Sequence, residues 1–199
     1  QNLKLYEEIF DGVCVNNPGS FYFFKEKTGL KLHCGQFFNI VNTFSAQMLM
    51  EKGAESFTFS IEANIRDMES MVKHTSLKSE IAAHEYVQLM VMKNCPMSVL
   101  SNCKNLRDCE KCTYRDKFQL RDRKGVHFNI ERQNKLTYIY NSVPLTIIGI
   151  AADFADKNID YFLVDTKYLE DAGVIIDALY SEIKGLKSNY ALEENKFTR

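Results

Sequence analysis

The fold is decided by residues 30–61, which read LKLHCGQFFNIVNTFSAQMLMEKGAESFTFSI. Residues 30–35 and 56–61 are short apolar runs of the length and composition that strands have. Between them, Ser45 is a residue that favours helix starts, and Gly53 is one that commonly follows helix ends. The stretch therefore predicts a strand, a helix and a second strand, which together form a βαβ crossover with two parallel strands.

The same alternation extends to both sides of this stretch. Further strands are predicted at 11–16, 85–92 and 160–165, and helices at 20–28, from 64 onward, at 144–154 and at 173–186. A closed barrel of eight strands needs about 250 residues, whereas this chain has 199 and contains five predicted strands. We therefore expect an α/β fold of the partial (β/α) TIM-barrel type, whose other half comes from the parent chain or from a second copy. An open doubly wound sheet is the alternative.

Charge and hydropathy exclude several classes of protein. The chain has 25 Lys and Arg against 26 Asp and Glu, so its overall charge does not predict nucleic-acid binding. The imbalance is local, because residues 104–135 contain ten basic and five acidic residues with aromatic residues between them. This pattern is compatible either with a nucleic-acid-binding surface or with a solvent-exposed ribbon of mixed charge.

No apolar run approaches the roughly 18 residues that span a bilayer, and no signal segment is recognisable, so we expect a cytoplasmic protein without a membrane partner.

Four of the six cysteines lie within eighteen residues, at Cys95, Cys103, Cys109 and Cys112. Thiolates bind Zn²⁺ and iron–sulfur clusters, and the two-residue gap between Cys109 and Cys112 is typical of a metal-binding knuckle. Disulfides are less compatible with the cytoplasmic composition. The sequence therefore predicts a four-cysteine metal site on an insertion at about 94–135. It predicts Zn²⁺ as the bound metal, with a [4Fe–4S] cluster as the alternative.

Polar residues on or after the predicted strands are the candidates for catalysis, because parallel α/β folds gather reactive groups at the carboxyl ends of their strands. His33 lies on such a strand, and an imidazole can titrate near neutral pH. Glu62 and Asp165 follow predicted strands, and their carboxylates can act as a pair, bind a metal or cap the next helix. We predict His33, Glu62 and Asp165 as the catalytic residues. The sequence contains neither His-Glu-x-x-His nor a standard Ser-His-Asp motif.

Three longer motifs resemble a known family. Residues 87–96 read VQLMVMKNCP, residues 122–125 read DRKG and residues 141–145 read NSVPL. A strand with Met-Val-Met followed by Cys-Pro, an Asp-Arg-x-Gly turn and an Asn-Ser-x-Pro-Leu element occur in this order in the collagenase-like peptidase family U32, whose catalytic type is unassigned. Residues 39–42 and 60–62 are similar to the strand ends of that family. The resemblance covers nearly the whole chain, as the carboxyl-terminal half of the family's barrel.

The resemblance implies that residues 1–199 are a half-barrel peptidase domain with a peptide as substrate. Relatives in this family also carry [4Fe–4S] clusters and take part in RNA or ubiquinone hydroxylation, so an RNA-modifying or hydroxylating protein is the alternative. A third interpretation is a structural domain that is held together by its metal and is inactive alone. Three features depart from the family pattern. Ile61 replaces a proline, and Leu163 stands where an arginine usually precedes the strand-end aspartate, here Asp165. The cysteine that many members place before the Asn-x-x-Pro-Leu element is missing.

Overall fold

The computed structural model describes residues 3–100, 103, 109, 112, 114 and 118–186. These residues divide into two compact units. The first unit consists of the residues up to Ala83, the segment Ile147–Val164 and the residues from Asp171 onward. The second unit consists of His84–Thr146 and Asp165–Glu170. Most of residues 101–117, which belong to the predicted cysteine-rich insertion, lie outside the described residues.

The described elements alternate between helices and strands in the first half of the chain. The helices are α1 (Leu3–Ile9), α2 (Pro18–Lys27), α3 (Thr43–Glu51), α4 (Ile65–His74), α5 (Pro96–Leu100), α6 (Ala151–Ala155) and α7 (Ala172–Ile183), with a 3₁₀ turn at Gln36–Phe38. The strands are β1 (Gly12–Val15), β2 (Lys31–Cys34), β3 (Ser56–Thr58), β4 (Lys78–Glu85), β5 (Gln88–Met92), β6 (Gln119–Arg121), β7 (His127–Gln133), β8 (Leu136–Tyr140), β9 (Leu145–Thr146) and β10 (Tyr161–Val164).

Strands β1 to β4 form a parallel sheet in sequence order, and β10 follows β4 in that sheet. The short strand β9 pairs with the end of β4 in the antiparallel direction. The predicted α/β class with a parallel sheet is therefore confirmed, and the arrangement is compatible with part of a (β/α) barrel. Among the described residues, no helix combines the length and the apolar content that crossing a membrane requires.

Three asparagines start the helices that follow the first three strands. The Oδ1 atom of Asn17 accepts a hydrogen bond from the backbone N–H of Ser20 at 2.8 Å, and Asn42 accepts one from Ser45 at 2.9 Å. Asn64 accepts hydrogen bonds from two N–H groups of the first turn of α4. Each side chain thereby satisfies a backbone donor that the helix itself leaves unpaired. These strand-end asparagines are helix caps.

The core of the first unit lies between one face of the parallel sheet and the helices. Phe57 and Phe59 are 0% and 2% exposed, and their rings meet edge to face with centroids 5.0 Å apart. The other buried apolar residues of these strands and helices include Val15, Phe21, Leu32, Cys34, Leu49, Met71, Ile81, Ile175 and Leu179. Burial of these side chains fixes which face of each strand turns toward the helices.

Two predicted elements are wrong. The fourth parallel strand is β4, at Lys78–Glu85, and not the apolar run 85–92 that the sequence predicted. That run contains β5, which belongs to the antiparallel sheet. The predicted helix at 144–154 divides into the strand β9 and the short helix α6. The sequence did not predict strand β4, because this strand begins with the polar residues Lys78, Ser79 and Glu80.

The second unit contains a four-stranded antiparallel sheet in the order β5-β8-β7-β6. Strands β7 and β8 are joined by a two-residue turn, in which Asn134 and Lys135 have φ angles of 50° and 63°. Arg132 is 5% exposed and donates hydrogen bonds to the Lys93 carbonyl at 2.9 Å and to Thr137 Oγ1 at 2.7 Å. These contacts hold the chain that leads to Cys95 against the sheet.

Truncating Phe57 tests the assignment of the core face. We expect Phe57→Ala to lower the free energy of unfolding by about 3–5 kcal/mol, because it removes buried apolar area and leaves a cavity. Urea unfolding followed by far-UV circular dichroism measures this change. The matched control is Phe44→Ala, since that side chain is 82% exposed and its loss should cost less than about 0.5 kcal/mol. Equal effects of the two variants would contradict the assignment.

Candidate active site

The face of the parallel sheet opposite the helices is polar. Successive side chains of a strand point to opposite faces, and directly paired residues of neighbouring strands share a face. Because Phe57 points into the core, Ser56 and Thr58 point to the polar face. The strand register pairs Ser56 with His33 on β2, and Thr58 with Glu80 on β4. Four polar side chains from three strands therefore meet there.

These four side chains form one hydrogen-bonded network. His33 Nδ1 lies 2.8 Å from Ser56 Oγ, and His33 Nε2 lies 2.8 Å from Thr58 Oγ1. The same Nε2 atom is 3.3 Å from Glu80 Oε1, to which Thr58 Oγ1 donates a hydrogen bond at 2.8 Å. His33 is thus held between the Ser56 hydroxyl on one side and a carboxylate–hydroxyl pair on the other.

The directions of the hydrogen bonds follow from the chemistry of the groups. The Glu80 carboxylate can only accept, and the single hydroxyl proton of Thr58 is donated to it. In the neutral tautomer that carries its proton on Nε2, the Thr58 oxygen and the Glu80 carboxylate both face that proton. In this tautomer Nδ1 carries no proton and accepts a hydrogen bond from the Ser56 hydroxyl. This is the arrangement in which an imidazole can remove a proton from a serine.

The charge of Glu80 depends on its hydrogen-bond partners. Burial by itself raises the pKa of this carboxyl, but the hydrogen bonds from His33 and Thr58 and the charge of His33 together outweigh burial. The pKa of Glu80 consequently lies below its usual value of 4.5. Its side chain is 19% exposed, so an ionised carboxylate faces the imidazole across a largely dehydrated contact.

Cys14 is the other nucleophile candidate on this face, because it is the register partner of His33 on β1. Cys14 as a whole residue is exposed, but desolvation by the surrounding atoms and, to a smaller extent, the negative charge of Glu80 raise the pKa of its thiol. A raised pKa keeps the sulfur protonated at neutral pH, and the thiol is a much weaker nucleophile than the thiolate. The electrostatics therefore favour Ser56 over Cys14 as the attacking group.

A pocket of about 290 Å³ opens beside the network. It is lined by Gly12, Val13, Cys14, Lys31, Leu32, His33, Glu55, Ser56, Lys78 and Tyr161. Several of these residues begin their strands, so the pocket lies toward the amino-terminal ends of the strands and not at the carboxyl ends that the sequence analysis favoured. At Gly12 a Cβ atom would come within 2.8 Å of the Lys31 carbonyl oxygen. Strand β1 can therefore approach β2 this closely only with glycine at that position.

The three predicted catalytic residues lie in different surroundings. His33 is at the centre of the network and lines the pocket. Glu62 is exposed in the turn after β3, where its backbone N–H donates to Ser60 Oγ at 3.2 Å. Asp165 belongs to the second unit, and its Oδ1 accepts a hydrogen bond from the Lys167 N–H at 2.9 Å. The catalytic roles of Glu62 and Asp165 stay predictions.

Asp165 lies near a buried histidine of the second unit. Its backbone N–H donates to the carbonyl of His84 at 2.8 Å. The His84 side chain is 2% exposed, and among the described residues neither of its ring nitrogens has a hydrogen-bond partner. Burial lowers the pKa of His84, and the Asp165 carboxylate opposes this effect only in part. His84 is therefore held in its neutral form.

The four cysteines of the predicted metal site are all described. Cys95 and Cys109 are partly exposed, Cys103 and Cys112 are exposed, and none of the six cysteines of the chain forms a disulfide in the described structure. Among the described residues, no group of three or more His, Cys, Asp or Glu side chains is arranged to hold a metal ion. The described positions of these thiols therefore give no support to a four-sulfur centre, and the metal site stays a prediction from the sequence.

Sequence reasoning missed Ser56, Thr58 and Glu80. The signal was present in the strict alternation of residues 56–59, Ser-Phe-Thr-Phe, which places both hydroxyls on the face opposite the phenylalanines. Glu80 alternates in the same way with the buried residues Ser79 and Ile81. The sequence does not give the register between strands, and the register brings these residues to His33.

The stability of the network should depend on pH in the acid range. The pKa of Glu80 is lower in the folded chain than its usual value, so its ionised form stabilises the fold above pH 4.5, and this contribution disappears as the pH falls through the folded-state pKa. We expect the difference in free energy of unfolding between the wild type and Glu80→Gln to shrink as the pH falls from 6 to about 3. Urea titrations at several pH values measure it. The control is Glu51→Gln, since Glu51 is exposed, and a constant difference for Glu80→Gln would contradict the network.

A family model described as peptidase family U32 matches residues 2–182. The match includes all four residues of the network and the whole lining of the pocket. No curated protein and no solved structure matches the chain.

Proposed function

Since the chain belongs to peptidase family U32, we propose that it is a peptidase domain in which Ser56 is the nucleophile, His33 the general base and Glu80 the residue that orients the base. The observation that carries the proposal is the continuous set of contacts from Ser56 through His33 to Glu80. A hydroxyl, an imidazole and a carboxylate in this order form the arrangement by which serine hydrolases activate their nucleophile on unrelated folds.

The proposed reaction is acyl transfer. Ser56 Oγ attacks the scissile carbonyl carbon while its proton passes to His33 Nδ1, 2.8 Å away. The imidazolium then gives that proton to the leaving amine, and the acyl group remains bound to Ser56 as an ester. Water attacks the ester with His33 as the base, which releases the acid and restores the serine.

Glu80 and Thr58 have different roles in this proposal. The Glu80 carboxylate stabilises the positive charge that His33 acquires during the reaction, because the two groups are 3.3 Å apart and largely shielded from water. The Thr58 hydroxyl donates to Glu80 and accepts from His33, so it holds both groups in one geometry. Thr58 is therefore a positioning residue.

Substitutions of the network test the proposal with a library of fluorogenic peptides. We expect Ser56→Ala and His33→Gln each to lower kcat/KM by about 10³-fold or more, and Glu80→Gln by about 10²–10⁴-fold. Cys14→Ser should retain peptidase activity, since Cys14 is held as a thiol. Ser76→Ala is the matched control, because Ser76 is exposed in the loop before β4 and does not line the pocket.

Two further measurements separate loss of catalysis from loss of folding. A fluorophosphonate probe should attach to Ser56 in the wild type and fail to attach in Ser56→Ala, as identified by peptide mass mapping. Thermal unfolding should give similar midpoints for both proteins. The proposal is wrong if Ser56→Ala is folded and retains full activity, or if Cys14→Ser abolishes activity while Ser56→Ala does not.

A metal at Cys95, Cys103, Cys109 and Cys112 is tested separately, because no step of the proposed reaction uses one. The sequence-based prediction is about one Zn²⁺ per chain, or about four iron atoms with broad visible absorption if a cluster is present. Elemental analysis of protein purified without oxygen measures both, and replacement of all four cysteines by serine should abolish binding. Less than about 0.1 metal atom per chain would contradict the prediction, and RNA that co-purifies and is released by salt would favour the alternative function.

A further inference from the structure

We propose that the pocket beside Ser56 takes short peptides with free termini, dipeptides in particular, and holds their α-carboxylate at Lys78 and Lys31. This inference rests on the proposed function, because it assigns a substrate class to the same site. It starts from the charges around the pocket, which are two ammonium groups and one carboxylate, that of Glu55. All three are exposed, so they are accessible to a ligand that enters from solvent.

The strand register places one of these ammonium groups beside the nucleophile. Lys78 is the direct partner of Ser56 across the parallel pair β3 and β4, so the two side chains share a face. Both residues line the pocket, so a ligand whose carboxylate is held at Lys78 lies beside the Ser56 hydroxyl.

Lys78 carries its charge under all ordinary conditions. Its Nζ lies 5.7 Å from the centroid of the Tyr161 ring. A hydrogen bond and the charge interaction with the Tyr161 hydroxyl raise the pKa of the ammonium group. Lys31 begins β2 on the same face, two residues before His33, and supplies a second cation to the same pocket. Both lysines thus favour an anionic group at this end of the site.

The size of the pocket limits the length of the ligand, and the charge of Glu55 favours a free amino group on it. A volume of about 290 Å³ is at the lower limit of ligand pockets, which usually measure roughly 300–1,000 Å³. Glu55 lines the same pocket, and its negative charge contributes to the raised pKa of Lys78. The carboxylate also favours a cation, which in a dipeptide is the α-amino group. Opposite charges at a short separation therefore match a small zwitterion better than the interior of a long chain.

Binding to the Ser56→Ala protein tests this inference without turnover. Isothermal titration with Ala-Ala, with Ala-Ala amide and with N-acetyl-Ala-Ala compares the three forms of one ligand. We expect Ala-Ala to bind, and each blocked form to bind about tenfold more weakly, because one charge-assisted hydrogen bond is lost. Equal binding of the free acid and the amide would overturn the inference, as would the absence of binding of Ala-Ala.

Charge-removing variants in the same Ser56→Ala background locate the contact. Lys78→Met and Lys31→Met should each weaken binding of Ala-Ala about tenfold and leave that of Ala-Ala amide unchanged. The matched control is Lys73→Met, since Lys73 is exposed near the end of α4 and does not line the pocket. If Lys73→Met and Lys78→Met weaken binding of Ala-Ala equally, the carboxylate is not held at Lys78 and the inference is wrong.

Hydrolysis assays separate this inference from the proposed function. Activity that depends on Ser56 and cuts dipeptides in preference to terminally blocked peptides supports both. Activity that depends on Ser56 but prefers long blocked peptides leaves the serine nucleophile intact and overturns the dipeptide assignment. A third outcome is that Ala-Ala binding requires Lys78 while the Ser56→Ala variant loses no activity. This outcome supports the dipeptide as ligand and overturns the assignment of Ser56 as the nucleophile.

Discussion

The burial of Phe57 determines the geometry on which the candidate site depends. The ring is fully buried between the sheet and the helices, where it meets Phe59 edge to face. Because a strand has a two-residue repeat, this burial forces Ser56 and Thr58 onto the opposite face. A slip of one residue in the register of β3 would turn the ring to the polar face and both hydroxyls to the apolar face, so hydrophobic burial and site geometry are set by the same contact.

The polar face is stable because its groups satisfy one another. His33 has a partner at each ring nitrogen, and Glu80 accepts from two donors. His84 in the second unit differs from His33 in both respects. It is more deeply buried, and neither of its ring nitrogens has a hydrogen-bond partner among the described residues. A buried polar group without a partner costs about 1–3 kcal/mol. The network at His33 thus keeps a polar group near the core at little cost in free energy.

The sequence predicted the parallel α/β class correctly because short apolar runs alternate with helix signals in its first half. It misplaced the fourth strand, because β4 begins with Lys78, Ser79 and Glu80 while the nearby run Leu89–Val91 looks like a buried strand. In the structure Leu89 and Met90 are 53% and 51% exposed, and β5 is an edge strand of the antiparallel sheet. Hydrophobicity identifies strands, but it cannot tell which sheet a strand joins.

The candidate site was predictable only in part, for the same physical reason. His33 could be selected from the sequence as a titratable residue on a strand, but its partners come from two other strands at distances of 23, 25 and 47 residues along the chain. The spacing of Cys95, Cys103, Cys109 and Cys112 likewise gives sulfur atoms close in sequence without fixing the directions of the side chains. A strand ladder does fix directions, because each hydrogen-bonded pair sets the face of its neighbours. The network built on β2, β3 and β4 is therefore held by regular backbone, which restricts its geometry more tightly than a loop can.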